Sequence, residues 1–212
     1  MRVSAATSGM STDPAFTNPL NWRTELPVLI GRSVSLREPT ALDVDALAAL
    51  LSLSDATPFG LTEPPGMASA HQLIERLIGD RFNGLAFTYA VTLSTTRNVV
   101  GIVHVRQLDA AFEAAEWECT LMPAVRGTGI FIDVARLVGS FAFGSVGVRR
   151  LEARTLLENG RANGALRKLG AVQEGILRRS VRRGTEYLDQ VLWSVLKEDW
   201  GEHWVSTAPR VH

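Results

Sequence analysis

The 212-residue chain is 46% hydrophobic and carries 22 Lys and Arg residues against 22 Asp and Glu residues, so it can bury one core and has no net field to attract nucleic acid or an anionic membrane. Its one cysteine, Cys119, excludes an internal disulfide framework, and the four scattered histidines lack the paired spacing of metal ligands, so we predict no metal site. Because no stretch approaches about 20 apolar residues and no basic region precedes an apolar one near the N-terminus, we expect a cytoplasmic protein without a membrane span.

The ends of the chain differ from its middle in composition. Residues 1–27 are rich in Ser, Thr, Ala, Pro and Asn without an apolar period, which predicts a flexible extension. We expect one folded domain over residues 28–200 and a short tail over residues 201–212.

The first half of the domain alternates in pattern between strand and helix. A short strand is predicted over residues 33–37, followed by a helix to about residue 53 that opens with a capping box of Thr40 and Asp43. Three prolines and two glycines predict a loop over residues 54–67, and an apolar stripe predicts an amphipathic helix over residues 68–81.

The remaining elements complete a sheet. Three antiparallel strands in a meander are predicted, followed by a helix, a strand, a second helix and a hairpin; their ranges are residues 85–93, 99–108, 115–122, 129–143, 151–157, 161–169, 172–181 and 187–196. This order predicts an α+β fold with a mixed β-sheet flanked by helices on both faces.

The segment Arg126-Gly127-Thr128-Gly129 lies between a predicted strand and the helix that begins near Ile130. Glycines let the backbone approach a ligand, and the amides and positive dipole end of a helix N-terminus suit a pyrophosphate, to which an arginine can add charge-assisted bonds. The alternative is an ordinary strand-to-helix turn. A P-loop would require Gly-Lys-Ser or Gly-Lys-Thr, and a dinucleotide fold would require a third glycine, so both are excluded.

Segments on either side of this loop carry a resemblance to a known family: Glu116–Cys119, Asn159–Ala171, Glu174–Arg178 and Gly184–Trp200. In this order they resemble the Asn-x-x-Ser, Lys-Leu-Gly-Phe and Glu-Gly-x-Leu-Arg signature of the GNAT acyltransferase superfamily, and specifically its Rim-type branch of ribosomal-protein N-terminal acetyltransferases. The resemblance covers about residues 30–200. It implies a GNAT-like fold and an N-acetyltransferase that uses acetyl-CoA as cosubstrate.

The resemblance also implies where the coenzyme lies. A splayed strand pair would hold the coenzyme arm at the end of the 115–122 strand, with the pyrophosphate at the glycine loop. The residues expected at this site are Thr120, Leu121, Met122, Arg126, Gly127, Thr128, Gly129, Ile130, Asn159 and Asn163. For the two asparagines the alternatives are a loop cap and a residue that satisfies local helix amides.

Three positions depart from the family pattern. Ala124 stands where the superfamily loop usually has Gln or Arg, and Ala162 stands where it has Ser. Leu166 replaces the tyrosine that many relatives use as general acid, so the group that protonates the leaving thiolate is unassigned.

Glu116 and Glu118 are the candidate general bases. They alternate with Trp117 and Cys119, so both carboxylates point to one face of the strand. The alternative is a solvated, charged sheet face. Cys119, His71 and His104 are interpreted as structural residues rather than nucleophile, base or ligands.

The expected acceptor is a primary amine, either a protein N-terminus or a small molecule, that attacks the thioester directly. An α-amine, whose pKa is about 8, is neutral more often near pH 7 than a lysine, whose pKa is about 10.4, and therefore suits a weakly equipped site better. Two other functions remain open: a catalytically weak acyl-CoA-binding or sensing protein, and a nucleic-acid-associated module that uses the arginines at positions 149, 150, 178, 179, 182 and 183. The oligomeric state is open between monomer and homodimer.

Overall fold

The computed structural model describes residues 21–53 and 67–200, with side chains omitted for residues 67–70. Predictions for residues 1–20, for the proline-rich segment 54–66 and for the tail 201–212 lie outside the described residues.

The described residues form strands and helices close to the predicted ones. The strands are β1 (Leu29–Ile30), β2 (Val34–Arg37), β3 (Ala86–Leu93), β4 (Val99–Gln107), β5 (Ala114–Leu121), β6 (Arg150–Leu156), β7 (Val172–Arg183) and β8 (Glu186–Leu196). The α-helices are α1 (Val44–Leu51), α2 (Met67–Phe82), α3 (Ile130–Phe141) and α4 (Gly160–Lys168). Among these strands and α-helices of the described residues, β1 has no counterpart in the sequence prediction, because two residues show no periodicity.

One eight-stranded sheet runs in the order β1-β2-β3-β4-β5-β6-β8-β7. Every neighbouring pair is antiparallel except β5 with β6, which is parallel. The predicted mixed sheet and the predicted meander of β3, β4 and β5 are confirmed.

The parallel pair β5 and β6 stays together over only three residues of each strand. Ala114, Ala115 and Glu116 pair with residues 150–152, whereas β5 continues to Leu121 and β6 to Leu156. The two strands therefore diverge after Glu116. We call the gap between residues 117–121 and 153–156 the β5–β6 opening.

Helices cover both faces of the sheet, as predicted. Ile102 of β4 packs in a cluster with Leu47 of α1 and Leu77 of α2. Its neighbour Val103 points the other way, into the larger core that includes Val134 of α3 and Leu166 of α4. This alternation along β4 is the period of two that a sheet buried on both faces requires.

The packed domain begins before residue 28, where the sequence placed its start. Trp22 and Leu26 are buried in the larger core, and the Trp22 ring meets Phe87 edge-on at a centroid distance of 5.7 Å. Residues 21–27 carry only two large apolar side chains that pack, Trp22 and Leu26, among polar residues and a proline, so their composition alone indicated an extension.

Where Gly101 of β4 pairs with Leu121 of β5, beside the opening, there is no room for a side chain at position 101. A Cβ there would lie 2.5 Å from Leu121 Cδ2 and 2.7 Å from Thr120 O. We expect Gly101→Ala to lower the free energy of unfolding by about 1–3 kcal/mol in urea denaturation. Gly79→Ala is the matched control: a Cβ at this α2 position meets nothing within 4 Å, so the change should raise stability by about 0.5–1 kcal/mol. A Gly101→Ala protein as stable as the parent would contradict the close approach.

Candidate functional site

A cavity of about 910 Å³ passes through the sheet at the β5–β6 opening. On the face covered by α3 and α4 it is lined by Trp117, Cys119 and Leu166. On the opposite face it is lined by His104 and Glu118, among others. The cavity therefore joins the two faces of the sheet at the one place where the strands separate.

The glycine loop directly precedes α3, where the sequence analysis placed it. Gly127 and Gly129 have φ angles of +83° and +90°, which only glycine adopts without strain, and a Cβ at either position would meet nothing within 4 Å. The first intrahelical bonds run from Ile132 N–H and Asp133 N–H to Gly129 O. The amides of residues 130 and 131 precede these bonds and have no intrahelical acceptor. Open space in front of the glycines and helix amides fits a pyrophosphate.

Two side chains of this loop already donate hydrogen bonds to backbone carbonyls of the protein. Arg126 Nε donates to Leu121 O at 2.9 Å, and Thr128 Oγ1 donates to Val125 O at 2.7 Å. Any contact from these two residues to a phosphate must therefore come from their other donors or from the main chain.

Main-chain groups of β5 alternate between β4 and the opening. Leu108 N–H donates to Ala114 O, and Met122 N–H donates to Val100 O. The main-chain groups of even-numbered β5 residues are therefore hydrogen-bonded to β4. The odd-numbered residues Cys119 and Leu121 face the opening. The Met122 N–H donates to Val100 O and its carbonyl accepts Val125 N–H, so a main-chain contact from Met122 to the coenzyme, which stays a prediction, would use the second lone pair of that carbonyl. By the same alternation, the main-chain N–H and carbonyl of Thr120 are hydrogen-bonded to β4.

Asn163 is a structural residue rather than a coenzyme contact. Its Nδ2 donates to the carbonyls of Leu156, Leu157 and Asn159 at 2.9–3.3 Å, and its Oδ1 accepts from Thr155 Oγ1 and Trp193 Nε1. The side chain is only 8% exposed and its hydrogen-bonding capacity is used inside the protein. The prediction for Asn163 is therefore wrong, and the alternative of satisfying local groups is what the structure shows.

Asn159 caps α4 and also lines the cavity. Its Oδ1 accepts Ala162 N–H at 3.1 Å, which is the loop-cap alternative considered from the sequence. Because the residue also borders the cavity, a contact of Asn159 with the coenzyme stays a prediction.

The two candidate bases have different surroundings. Glu116 accepts from Arg154 Nη1 at 2.8 Å and from Arg106 Nη2, so its two oxygens are each held by a guanidinium. Glu118 lines the cavity directly opposite His104 in the register of β4 with β5. The structure thus brings both carboxylates to one face of the cavity, as predicted, but engages Glu116 in two ion pairs.

Sequence reasoning missed the setting of His104. This residue is buried, Thr88 Oγ1 lies 2.8 Å from its Nδ1, and it lines the cavity. Burial, then the charges of Arg106 and Arg76, lower the pKa of His104 to about 4. Strand alternation puts His104 on the same face as Arg106, but only the strand pairing reveals that it stands beside Glu118.

The Cys119 thiol lies in the opening and is not ionised near neutral pH. Burial, then the charge of Glu118, raise the pKa of this thiol to about 12. This supports the interpretation of Cys119 as a structural residue.

Residues 21–53 and 67–200, the described part of the chain, show neither a membrane-spanning helix nor a metal-binding cluster. None of the helices there combines the length and the apolar character needed to cross a bilayer. In the same part of the chain, no group of three or more His, Cys, Asp or Glu side chains is arranged to hold a metal ion.

Comparison with known proteins identifies the family. The model of a family described as an acetyltransferase (GNAT) domain matches residues 33–172. The uncharacterized N-acetyltransferase YoaA of Bacillus subtilis (strain 168) is 25% identical over 173 residues, covering 81% of this chain and 97% of YoaA. The chain belongs to the GNAT acetyltransferase family, which confirms the resemblance drawn from its motifs.

Solved structures share the fold. RimJ from Mycobacterium smegmatis in complex with CoA-disulfide matches with a TM-score of 0.76 at 18% identity, over 86% of this chain and 91% of RimJ. Ribosomal-protein-S5-alanine acetyltransferase from Vibrio fischeri matches with a TM-score of 0.72 at 19% identity, over 82% of this chain and 98% of that protein. Rim-type proteins are therefore among those with the same fold.

The two asparagines should differ in their effect on stability. Asn163→Ala leaves buried partners, among them Trp193 Nε1–H, without a hydrogen bond, so we expect the free energy of unfolding to fall by about 3 kcal/mol. Asn159→Ala removes one helix cap and should cost about 1 kcal/mol. Chemical denaturation of both variants measures the difference. Equal losses would contradict the assignment of Asn163 as the structural residue.

Proposed function

We propose that the protein transfers an acetyl group from acetyl-CoA to a primary amine, either a protein N-terminus or a small-molecule amine, by direct attack of the amine on the thioester. The observation that carries this proposal is the cavity through the β5–β6 opening. One side of the sheet offers the glycine loop for a pyrophosphate, and the other offers a carboxylate at the cavity wall. The opening connects the two sides, so a thioester and an amine could meet there.

The coenzyme side is formed by the main chain more than by side chains. Bound acetyl-CoA supplies the thioester carbonyl that the amine attacks. Amides of residues 127–131 would hold the pyrophosphate, and the main-chain groups of Cys119 would hold the coenzyme arm along β5. Asn159 would contact the same arm from the start of α4.

Glu118 is the proposed proton acceptor. Taking a proton at Glu116 would break its ion pairs with Arg106 and Arg154, so Glu116 is better suited to hold the two arginines in place. Glu118 lies two residues further along the same face, nearer the wide end of the opening. A carboxylate there can accept the amine proton directly or through one water.

Protonation of the leaving thiolate needs no side chain in this proposal. Leu166 is buried at the cavity wall and carries no proton donor. A thiol has a pKa of about 8.5, so its thiolate is a fair leaving group near neutral pH and can take a proton from solvent. A site without a general acid favours acceptors that are already good nucleophiles, which agrees with an α-amine.

The competing proposal is an acyl-CoA-binding or sensing protein with weak catalysis. A panel of peptides and small amines, with coenzyme A release and product mass measured, separates the two functions. Acetylated product on at least one amine supports acetyl transfer. Tight acetyl-CoA binding without turnover on any acceptor would overturn it in favour of the sensor.

Close approach of the coenzyme to the glycine loop can be tested with a pair of positive-φ glycines. Gly129→Ala should weaken acetyl-CoA binding at least tenfold in calorimetry, because the Cβ enters the space expected for the pyrophosphate and strains the loop by about 1–2 kcal/mol. Gly147→Ala is the control: its φ is +98° and its Cβ position is equally open, but it lies at the far end of α3. This control should lose similar stability with unchanged affinity. Equal affinities in the two variants would place the phosphates elsewhere.

Substitutions of the two glutamates should differ in their effect on turnover. Glu118→Gln is expected to lower kcat by about 10² to 10⁴, most strongly below the pKa of the acceptor, because the amine then arrives protonated. Glu116→Gln should have a smaller effect on kcat and a larger one on thermal stability, since it weakens two ion pairs. Steady-state kinetics from pH 6 to pH 9 checks both variants. Profiles that superimpose on the parent for both would assign proton removal to solvent or to another residue.

A further inference from the structure

Thr88, His104 and Glu118 form a row across three neighbouring strands. Thr88 pairs with His104 between β3 and β4, and His104 pairs with Glu118 between β4 and β5. Even-numbered residues of β5 exchange main-chain hydrogen bonds with β4, so the main chains of His104 and Glu118 are hydrogen-bonded to each other. In such a pair the Cβ atoms lie about 5 Å apart and both side chains project from the same face of the sheet. The imidazole thus stands between a hydroxyl on one side and a carboxylate on the other.

Thr88 fixes the orientation of the imidazole. Its Oγ1 lies 2.8 Å from His104 Nδ1, and the two residues are 2% and 6% exposed. Because Nδ1 and Nε2 lie on different edges of the ring, the contact with Thr88 leaves Nε2 on the edge of the ring that faces away from β3. Both His104 and Glu118 border the cavity.

The His104 imidazole is neutral near pH 7, because its pKa is about 4. One ring nitrogen therefore carries hydrogen and the other accepts. In the tautomer with hydrogen on Nε2, Thr88 donates to Nδ1 and Nε2–H is available to donate to a carboxylate on the neighbouring strand.

We propose that His104 is a positioning residue for acetyl transfer, whose Nε2–H donates to the Glu118 carboxylate and holds it oriented toward the acceptor amine. This inference rests on the proposed function, in which Glu118 accepts the proton. The proton passes from the amine nitrogen to a Glu118 oxygen as the new C–N bond forms, and His104 keeps its own proton throughout. Thr88 contributes indirectly, because its hydrogen bond holds the imidazole ring of His104 in orientation.

The pH dependence of turnover distinguishes this role from a purely structural one. Hydrogen bonding to an ionised carboxylate favours the ionised form, so loss of the bond should move the acidic limb of the kcat profile to higher pH by about one unit. The other charged groups that line the cavity around Glu118 stay in place in every variant: Arg76, Asp80, Arg106, Glu116 and Arg154. A shift of the limb therefore reports the His104 contact.

His104→Leu is the first variant. We expect about a tenfold lower kcat at pH 7, the acidic limb shifted upward, and a KM for acetyl-CoA within twofold of the parent. His104→Gln, which retains an N–H donor, should recover most of kcat and return the limb toward its original position. A His104→Leu profile that superimposes on that of the parent would overturn the proposal.

A pair of buried threonines on β3 provides the matched control. Thr88→Val removes the hydroxyl that holds the ring and should shift the acidic limb in the same direction by a smaller amount. Thr92 is also buried on β3, but its Oγ1 donates to Ser35 O, away from His104. Thr92→Val should lower stability without moving the limb. Equal shifts in the two variants would contradict a specific role for Thr88 and His104.

The tautomer can be observed without any activity. In protein labelled with ¹⁵N-histidine, we expect the His104 resonances, assigned by their loss in His104→Leu, to show a protonated Nε2 and an unprotonated Nδ1 at pH 7. Glu118→Gln should change the Nε2–H shift. A protonated Nδ1, or an Nε2–H signal unaffected by Glu118→Gln, would overturn the proposal. The expected spectrum in a protein that acetylates no acceptor would instead overturn the proposed function and with it the catalytic purpose of the contact.

Discussion

The divergence of β5 and β6 after Glu116 is the constraint on which the candidate site depends. Separating two central strands exposes main-chain donors and acceptors, and each buried group left unpaired costs about 1–3 kcal/mol. The fold limits this cost because each strand keeps its other neighbour: β5 pairs with β4 along its length, and β6 pairs with β8 from Arg150 to Leu156. The opening is thus a local loss of pairing in an otherwise continuous sheet.

Several groups at the edges of the opening satisfy the exposed main chain. Leu121 O accepts Arg126 Nε, and Leu156 O accepts both Asn163 Nδ2 and Asn159 N–H. The Cys119 main chain is left facing the cavity by the alternation of β5. The residues that close the ends of the opening are therefore distinct from those available to a ligand in its middle, which explains why Asn163 is a poor candidate for contact with the coenzyme.

Charged side chains of β5, β6 and β7 are arranged in a chain of ion pairs. Glu116 and Glu152 alternate with Arg154 and Arg150, and Arg150 also holds Glu174 through Nη1 at 2.7 Å. The hydrogen bond from Arg150, then that from Ser194, lower the pKa of Glu174 to about 2. The pair of Arg150 with Glu174 is exposed enough to contribute little stability, so its effect is to fix side-chain positions. Glu174 belongs to the Glu-Gly-x-Leu-Arg motif, and in this structure it orders β6, β7 and β8 rather than forming part of the cavity.

How far the sequence predicts this site depends on the kind of information each residue requires. Periodicity and glycine placement were sufficient for the helices, the meander and the Gly127–Gly129 loop, because these are local signals. The role of Asn163 was mistaken because motif spacing does not tell which main-chain groups a side chain meets. His104 needed the pairing of three strands, which no local pattern specifies. Trp22 was missed because its packing partners, Phe87 and Phe112, are distant in sequence.

The order of the chemical steps follows from the one nucleophilic side chain in the opening. Cys119 stands where a thioester would lie, so an acyl-cysteine intermediate is the obvious alternative to direct attack. With a pKa of about 12, only about one thiol in 10⁵ is ionised at pH 7. The thiolate is the reactive form, and raising it would require a cationic neighbour or a base, whereas the neighbouring Glu118 charge opposes ionisation. The same carboxylate that is proposed to remove the proton from an amine therefore disfavours acyl transfer through Cys119, and this supports the proposal of direct attack, in which acetyl donor and amine occupy the cavity together.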